Sequence, residues 1–145
     1  MQITRQADYA VRAVLYLAEK NGAGRAPTSQ IARDQRIPPS FLAKIVSQLS
    51  VAGMVQTSRG ARGGVSLARE PKDISLLEVV EAIDGPITLN ECVADPGLCA
   101  FGDDCPVHGV WTGVQEKLVR ELSTTSFADL MSARNGRKIP AAMIQ

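Results

Sequence analysis

Three cysteines and the only histidine of this 145-residue chain lie between residues 92 and 108, spaced C-x6-C-x5-C-x2-H as Cys92, Cys99, Cys105 and His108. Thiolates and a neutral imidazole are the soft donors that bind zinc or the irons of an iron–sulfur cluster. The residues between them suit a loop folding round a metal. Pro96, Gly97, Gly102 and Pro106 turn the backbone, and no helix or strand periodicity runs through the segment. An odd number of cysteines fits poorly with a disulfide framework. No long apolar run accompanies Arg5 and Arg12, as a secretory signal requires, so a reducing cytoplasm is expected. Zinc sites usually draw their ligands in pairs two to four residues apart, and only Cys105 and His108 form such a pair. Longer spacings within one loop favour a bulkier iron–sulfur cluster. A structural zinc ion is the alternative, with inert buried thiols behind both.

The charge of the chain shows what else it must do. The net charge is only +1, but it is divided: residues 1–70 hold ten Lys and Arg against four Asp and Glu, and residues 71–145 hold six against eleven. A basic half joined to an acidic half with the thiols implies two tasks, one of them facing a polyanion. Hydrophobic residues make up 45% of the chain, enough for one modest core. No apolar run approaches the ~18 residues of a membrane span, so no membrane partner is expected.

Residues 4–20 read as an amphipathic helix with Ala7, Ala10, Val11, Val14, Leu15 and Ala18 on its apolar face, Thr4 as N-cap and Asn21-Gly22 as its end. Asp8 sits near its positive end. A short helix over 27–35, capped by Thr28 or Ser29, and a turn at 36–38 precede a second helix that Pro39 opens and Gly53 ends. Leu42, Ile45, Val46 and Leu49 give that helix a core face, leaving Ser40, Phe41, Lys44, Ser47 and Gln48 outward. Two short helices and a tight turn form a helix-turn-helix, whose second helix enters the major groove. Strands at 54–58 and 65–68 then flank the loop Arg59-Gly60-Ala61-Arg62-Gly63-Gly64. A hairpin tip this rich in arginine and glycine reads as a DNA-binding wing. Arg59 and Arg62 would reach phosphates or a narrow minor groove, and the glycines, Gly60 among them, would let the backbone approach DNA.

Beyond Pro71, Ser75 and Glu78 form a capping box for an apolar helix that Asp84-Gly85-Pro86 stops. After His108 comes a helix of about sixteen residues. Its stripe of Val107, Val110, Trp111, Val114, Leu118 and Leu122 is too wide to leave wet, which points to a dimerisation helix. A short closing helix with Phe127, Leu130 and Met131 extends this apolar surface, and residues 135–145 read as a tail. The expected fold is mainly α with a small β-hairpin. It divides into a winged helix-turn-helix domain (1–70), a connecting helix (71–91), a cluster loop (92–106), a dimerisation part with its closing helix (107–134) and a tail.

These residues together resemble the Rrf-two type of winged-helix transcription regulators, over Met1 to about Met131. The carriers are Ile3-Thr4-Arg5-Gln6-Ala7-Asp8-Tyr9-Ala10-Val11-Arg12, Pro39-Ser40-Phe41-Leu42, the wing Arg59-Gly60-x-x-Gly63-Gly64, the cysteine loop and Trp111. The resemblance implies a homodimer on a palindromic double-stranded DNA operator, with an iron–sulfur cluster held by Cys92, Cys99 and Cys105. In the members that regulate cluster assembly a histidine at the place of His108 completes a 2Fe–2S site. Nitric-oxide-sensing members hold 4Fe–4S clusters and take a ligand from near the start of the chain, where Asp8 stands. The gap between Cys92 and Cys99 is one residue longer than the resemblance would give. An electron-transfer protein is the rival class, but no Gly-rich nucleotide fingerprint, second histidine or C-x-x-C accompanies the loop. The expectation is a transcription regulator and not an enzyme.

Overall fold

The computed structural model describes residues 2–20 and 24–136. The chain opens with α1 (Arg5–Glu19), and Thr4 caps it by accepting the Ala7 N–H at 3.1 Å. Its apolar side is richer in small residues than the expected stripe. Ala7, Ala10, Ala13, Val14 and Ala18 are fully or almost fully buried, and Val11 and Leu15 flank them half-buried. Tyr9, Tyr16 and Leu17 widen the buried face. Small side chains let several helices approach one axis closely, and α1 meets four of them, described below. Its expected end at Asn21-Gly22 lies outside the described residues.

The helix-turn-helix consists of α2 (Thr28–Gln35) and α3 (Pro39–Val51). Neither expected hydroxyl caps α2: Thr28 is already helical, and the Pro27 carbonyl accepts the first free N–H groups, from Gln30 and Ile31. The turn runs through Arg36 in the left-handed region (φ 52°), which drops Ile37 into the core as a plug between the helices. Pro39 occupies the first turn of α3, where its missing N–H costs nothing. The helix buries Leu42, Ile45, Val46 and Leu49, the expected face.

The hairpin pairs β1 (Val55–Ser58) with β2 (Gly64–Leu67) antiparallel, Val55 opposite Leu67 and Ser58 opposite Gly64. Ala26 adds a single bridge on the other edge of β2, exchanging both backbone bonds with Val65 at 2.8 and 2.9 Å. This contact assigns the wing glycines a different duty from the expected one. A Cβ on Gly64 would lie 2.5 Å from the Ala26 carbonyl oxygen, and one on Gly63 would lie 2.3 Å from that of Ser58. Both glycines are required for the hairpin to close, whatever else the tip meets.

The connecting helix α4 (Leu76–Asp84) packs along α1, and both halves of the Ser75–Glu78 capping box form. Burial would raise the Glu78 carboxyl, but bonds from Ser75 and Arg69 outweigh it and hold the group below its ordinary value. A one-turn helix, α5 (Glu91–Ala94), follows, then α6 (His108–Thr124) and α7 (Phe127–Arg134). The position of α7 corrects an expectation. Phe127 does not extend a dimer surface: it is fully buried in the same core as α1 and α3. A bridge between Ser75 and Ser126 and the bond from the Phe127 N–H to the Ile74 carbonyl (3.0 Å) pin α7 there. Leu130 and Met131 pack against that core. Residues 137–145 of the expected tail lie outside the described residues. Among the described residues no helix is long and apolar enough to cross a membrane.

Because Phe127 is fully buried in the core that α7 shares with α1, Phe127→Ala should cost about 3–5 kcal/mol of unfolding free energy. Urea denaturation measures this directly, and a loss under about 1 kcal/mol would show that α7 is not integral to the core.

Candidate nucleic-acid interface and metal centre

Burial of the apolar side of α3 turns Ser40, Phe41, Lys44 and Ser47 outward, and all four are exposed. Their spacing puts Ser40, Lys44 and Ser47 on one stripe. Arg59, Gly60 and Arg62 are exposed at the hairpin tip, where the Gly63 N–H bonds to the Gly60 carbonyl at 2.9 Å and Gly60 adopts φ 103°. The structure thus brings these residues to the surface of one small unit, a polar helix face and a hairpin carrying two arginines; Gln48, expected outward with them, is only half-exposed and its Oε1 is buried. Phe41 also has a structural tie. Its ring packs edge-on against Tyr9 of α1, with centroids 6.1 Å apart.

Arg12 is a residue that the sequence reading passed over. Its guanidinium lies 4.8 Å from the Tyr9 ring centroid, donates to the Gln35 carbonyl at 2.8 Å and approaches the Asp8 carboxylate at 3.2 Å. One side chain of α1 therefore touches the helix-turn-helix turn, the aromatic pair that seats α3, and Asp8. The i,i+4 spacing of Asp8 and Arg12 was a visible signal for the ion pair; the contact with Gln35 had none.

The cysteine segment is more regular than its composition suggested. Cys92 sits in α5, and Cys99 and Cys105 each follow a 3-10 turn, over Pro96–Leu98 and Gly102–Asp104. Prolines, glycines and the Asp95 carboxylate, which accepts the Gly97 N–H at 2.9 Å, make these turns locally stable. All three thiols are free and half-buried. Cys92 and Cys99 line an open hollow of about 460 Å³ with Asn90, Leu98 and Phe101. The Cys92 Sγ–H donates to the Asn90 Oδ1 at 3.2 Å. His108 is the first residue of α6, and its N–H bonds to the Cys105 carbonyl at 3.1 Å. Among the described residues no three His, Cys, Asp or Glu side chains converge as a metal shell. The donors fit an iron–sulfur cluster in kind, and the turns between them must tighten for all four to meet on one. Asp8 is exposed, ion-paired with Arg12 and not gathered with the thiols.

The stripe on α6 divides. Leu118 and Leu122 pack on Ala7, Val80 and Ile87 of the same subunit, a correction to the single dimer stripe expected. Val107, Val110, Trp111 and Val114 stay uncovered, with Val110 60% and Trp111 41% exposed. Four large apolar side chains along about two turns form a patch of the kind that marks an interaction surface.

Comparison with known proteins agrees with the DNA-binding half of this picture. Residues 3–133 match the Rrf2 family model, described as an iron-dependent transcriptional regulator. The HTH-type transcriptional regulator IscR of Escherichia coli K12 is 31% identical over 132 residues, covering 91% of this chain and 81% of that one. Among solved structures, IscR of T. potens is similar with a TM-score of 0.74 and 25% identity, over 100% of this chain and 97% of that one. CymR, the global cysteine regulator of B. subtilis, superposes with a TM-score of 0.79 at 28% identity, over 91% and 97%. A basic helix-turn-helix with its wing, an α6 at this place and a family match across nearly the whole chain lead to one conclusion: the chain belongs to the Rrf2 family of DNA-binding transcription regulators, and it is not an enzyme.

Proposed function

We propose that this regulator works in the cytoplasm as a homodimer on a palindromic operator. It reads iron–sulfur status or redox or nitrosative stress through a cluster held by Cys92, Cys99, Cys105 and His108. The carrying observation is that all soft donors of the chain occupy one loop of short turns, with the thiols free and half-buried and His108 fixed at the start of α6. CymR, the global cysteine regulator of B. subtilis, shares this fold with IscR of T. potens, so the architecture does not set the signal, and on this proposal residues 92–108 do. A 2Fe–2S cluster is favoured, because an imidazole is a better fourth ligand than a carboxylate. The second reading is a 4Fe–4S cluster with Asp8, supported by the exposure of Asp8 in the first turn of α1.

When bound, the cluster supplies a large, redox-labile change of local charge. Holding it requires Cys92, Cys99 and Cys105 as thiolates, so each gives up its proton. Cys92 then loses its donation to Asn90, whose amide can turn to donate an N–H instead. Cys92, Cys99, Cys105 and His108 would meet on the cluster only if the turns of residues 92–106 drew together. The way from that loop to the DNA face runs through α4 and α1. The Asp84 carboxylate accepts both the Thr4 N–H (3.2 Å) and the Thr4 hydroxyl (2.5 Å), which joins the end of α4 to the start of α1. Arg12 and the Tyr9–Phe41 pair carry the position of α1 to the turn and to α3. Residues 1–70 bind DNA, 71–91 connect, 92–106 sense, and the exposed part of α6 dimerises, with α7 as part of the common core.

Arg59→Ala should weaken operator binding and lower its dependence on salt by roughly one counterion, measured as the slope of log affinity against log salt. Identical slopes would remove Arg59 from the contact set. Val114→Asp puts a charge on the uncovered patch and should give monomer or aggregate in sedimentation; an unchanged dimer would place the interface elsewhere. In anaerobically prepared protein, His108→Ala should abolish or alter the visible spectrum and Asp8→Ala should leave it nearly intact. The reverse pattern would assign the fourth site to Asp8.

A further inference from the structure

Among the described residues the lead-in to the cysteine loop has no sheet or helix partner, yet the Ile87 N–H, the Ile87 carbonyl and the Leu89 N–H find side-chain partners. Residues 85–90 pass between α4 and α6 in extended and bent conformations. Buried peptide groups in such a stretch need side-chain partners. Glu81 accepts the Ile87 N–H at 3.3 Å. Gln115 takes two more groups: its Oε1 accepts the Leu89 N–H at 2.9 Å, and its Nε2 donates to the Ile87 carbonyl. The carbonyl of one residue and the N–H two residues on are the pair that a parallel strand would bind. The Gln115 amide, one acceptor and one donor in a plane, takes the place of that strand. Its orientation is fixed by the two groups it faces, because a flipped amide would set donor on donor and acceptor on acceptor. The Ile87 side chain is buried beside Leu118 and Leu122, so the anchored backbone also sits on a packed footing.

Gln115 stands seven residues after His108 on α6, about two turns along the helix. Leu89 stands three residues before Cys92. The clamp therefore closes the base of the loop and fixes both its ends to one rigid helix.

We propose that Gln115 is the positioning residue of the cysteine loop, holding Leu89, and through it Cys92, in the frame of α6 that carries His108. It rests on the reading that these residues hold a cluster. Closing the base shortens the free segment whose ends must meet and lowers the entropy lost when the donors gather. Gln115 touches no thiol and acts through the backbone of Ile87 and Leu89.

Two variants test it in the full-length protein. Gln115→Met keeps length and removes both bonds, whereas Gln115→Glu keeps the acceptor for Leu89. In metal-free, reduced protein, amide exchange at Leu89 should quicken by about tenfold or more in the Met variant and little in the Glu variant. Cys92 should be alkylated several-fold faster relative to Cys105, with amides of α6 such as Leu118 still protected. After anaerobic reconstitution, the Met variant should lose its visible absorption to a chelator several-fold faster than wild type. Unchanged exchange at Leu89 would overturn the clamp. Faster exchange with equal Cys92 alkylation and equal cluster loss would overturn the positioning role. A wild type that takes up no iron and sulfide, with Leu89 and Cys92 still responding, would refute the cluster reading and leave the clamp standing. Should the Met variant fail to fold, the Glu variant still decides. Its Leu89 must stay protected while its Ile87 carbonyl loses a donor, and a Leu89 as exposed as in a free loop would overturn the proposal.

Discussion

The structure depends on the close packing that the alanines of α1 allow. Ala7, Ala10, Ala13 and Ala18 let the helix axis sit near α2, α3, α4 and α7 at once. A larger side chain at any of these positions would force one neighbour outward, and interiors at crystal-like density accommodate that poorly. The same helix carries Tyr9 and Arg12, which reach the helix-turn-helix, and Asp8, which pairs with Arg12. Displacing α1 would therefore displace the turn at Gln35 and α3 with it.

Function is distributed over this frame by the different stability of its parts. The DNA face stands on a continuous core under α3 and β2, where Leu42, Ile45, Leu49 and Val65 are essentially fully buried. The cysteine loop has no such support: its turns bury no large side chain, and Leu98 and Phe101 are exposed. A segment so lightly packed opens more readily than the core beneath α3. The loop is nonetheless not free, since Gln115 and Ile87 at one end and the start of α6 at the other hold its base.

Much of this was legible in the sequence where the signal is local. Ser75 and Glu78 announce a capping box, Pro39 a helix start, and the arginine- and glycine-rich tip a hairpin; all three stand where expected. Clustering of the soft donors was equally plain, although their turns were not, because single 3-10 turns leave no periodicity. What stayed hidden depends on contacts distant in the chain. The periodicity of α6 runs unbroken through Val110, Trp111, Val114, Leu118 and Leu122, and only tertiary packing shows that Leu118 and Leu122 serve the subunit itself. Gly64 lies against Ala26, and nothing in the sequence places Ala26 beside β2. Gln115 has no motif at all, and its role depends wholly on which backbone passes beside it.

The account stands on the chemistry of residues 92–108, and the most direct test is the metal and sulfide content of wild-type protein purified without oxygen, read beside its visible absorption. A 2Fe–2S site of three thiolates and an imidazole requires about two iron and two sulfide per chain, with visible absorption that air bleaches. One zinc per chain with no visible absorption, or three freely titrating thiols and no metal, would contradict it.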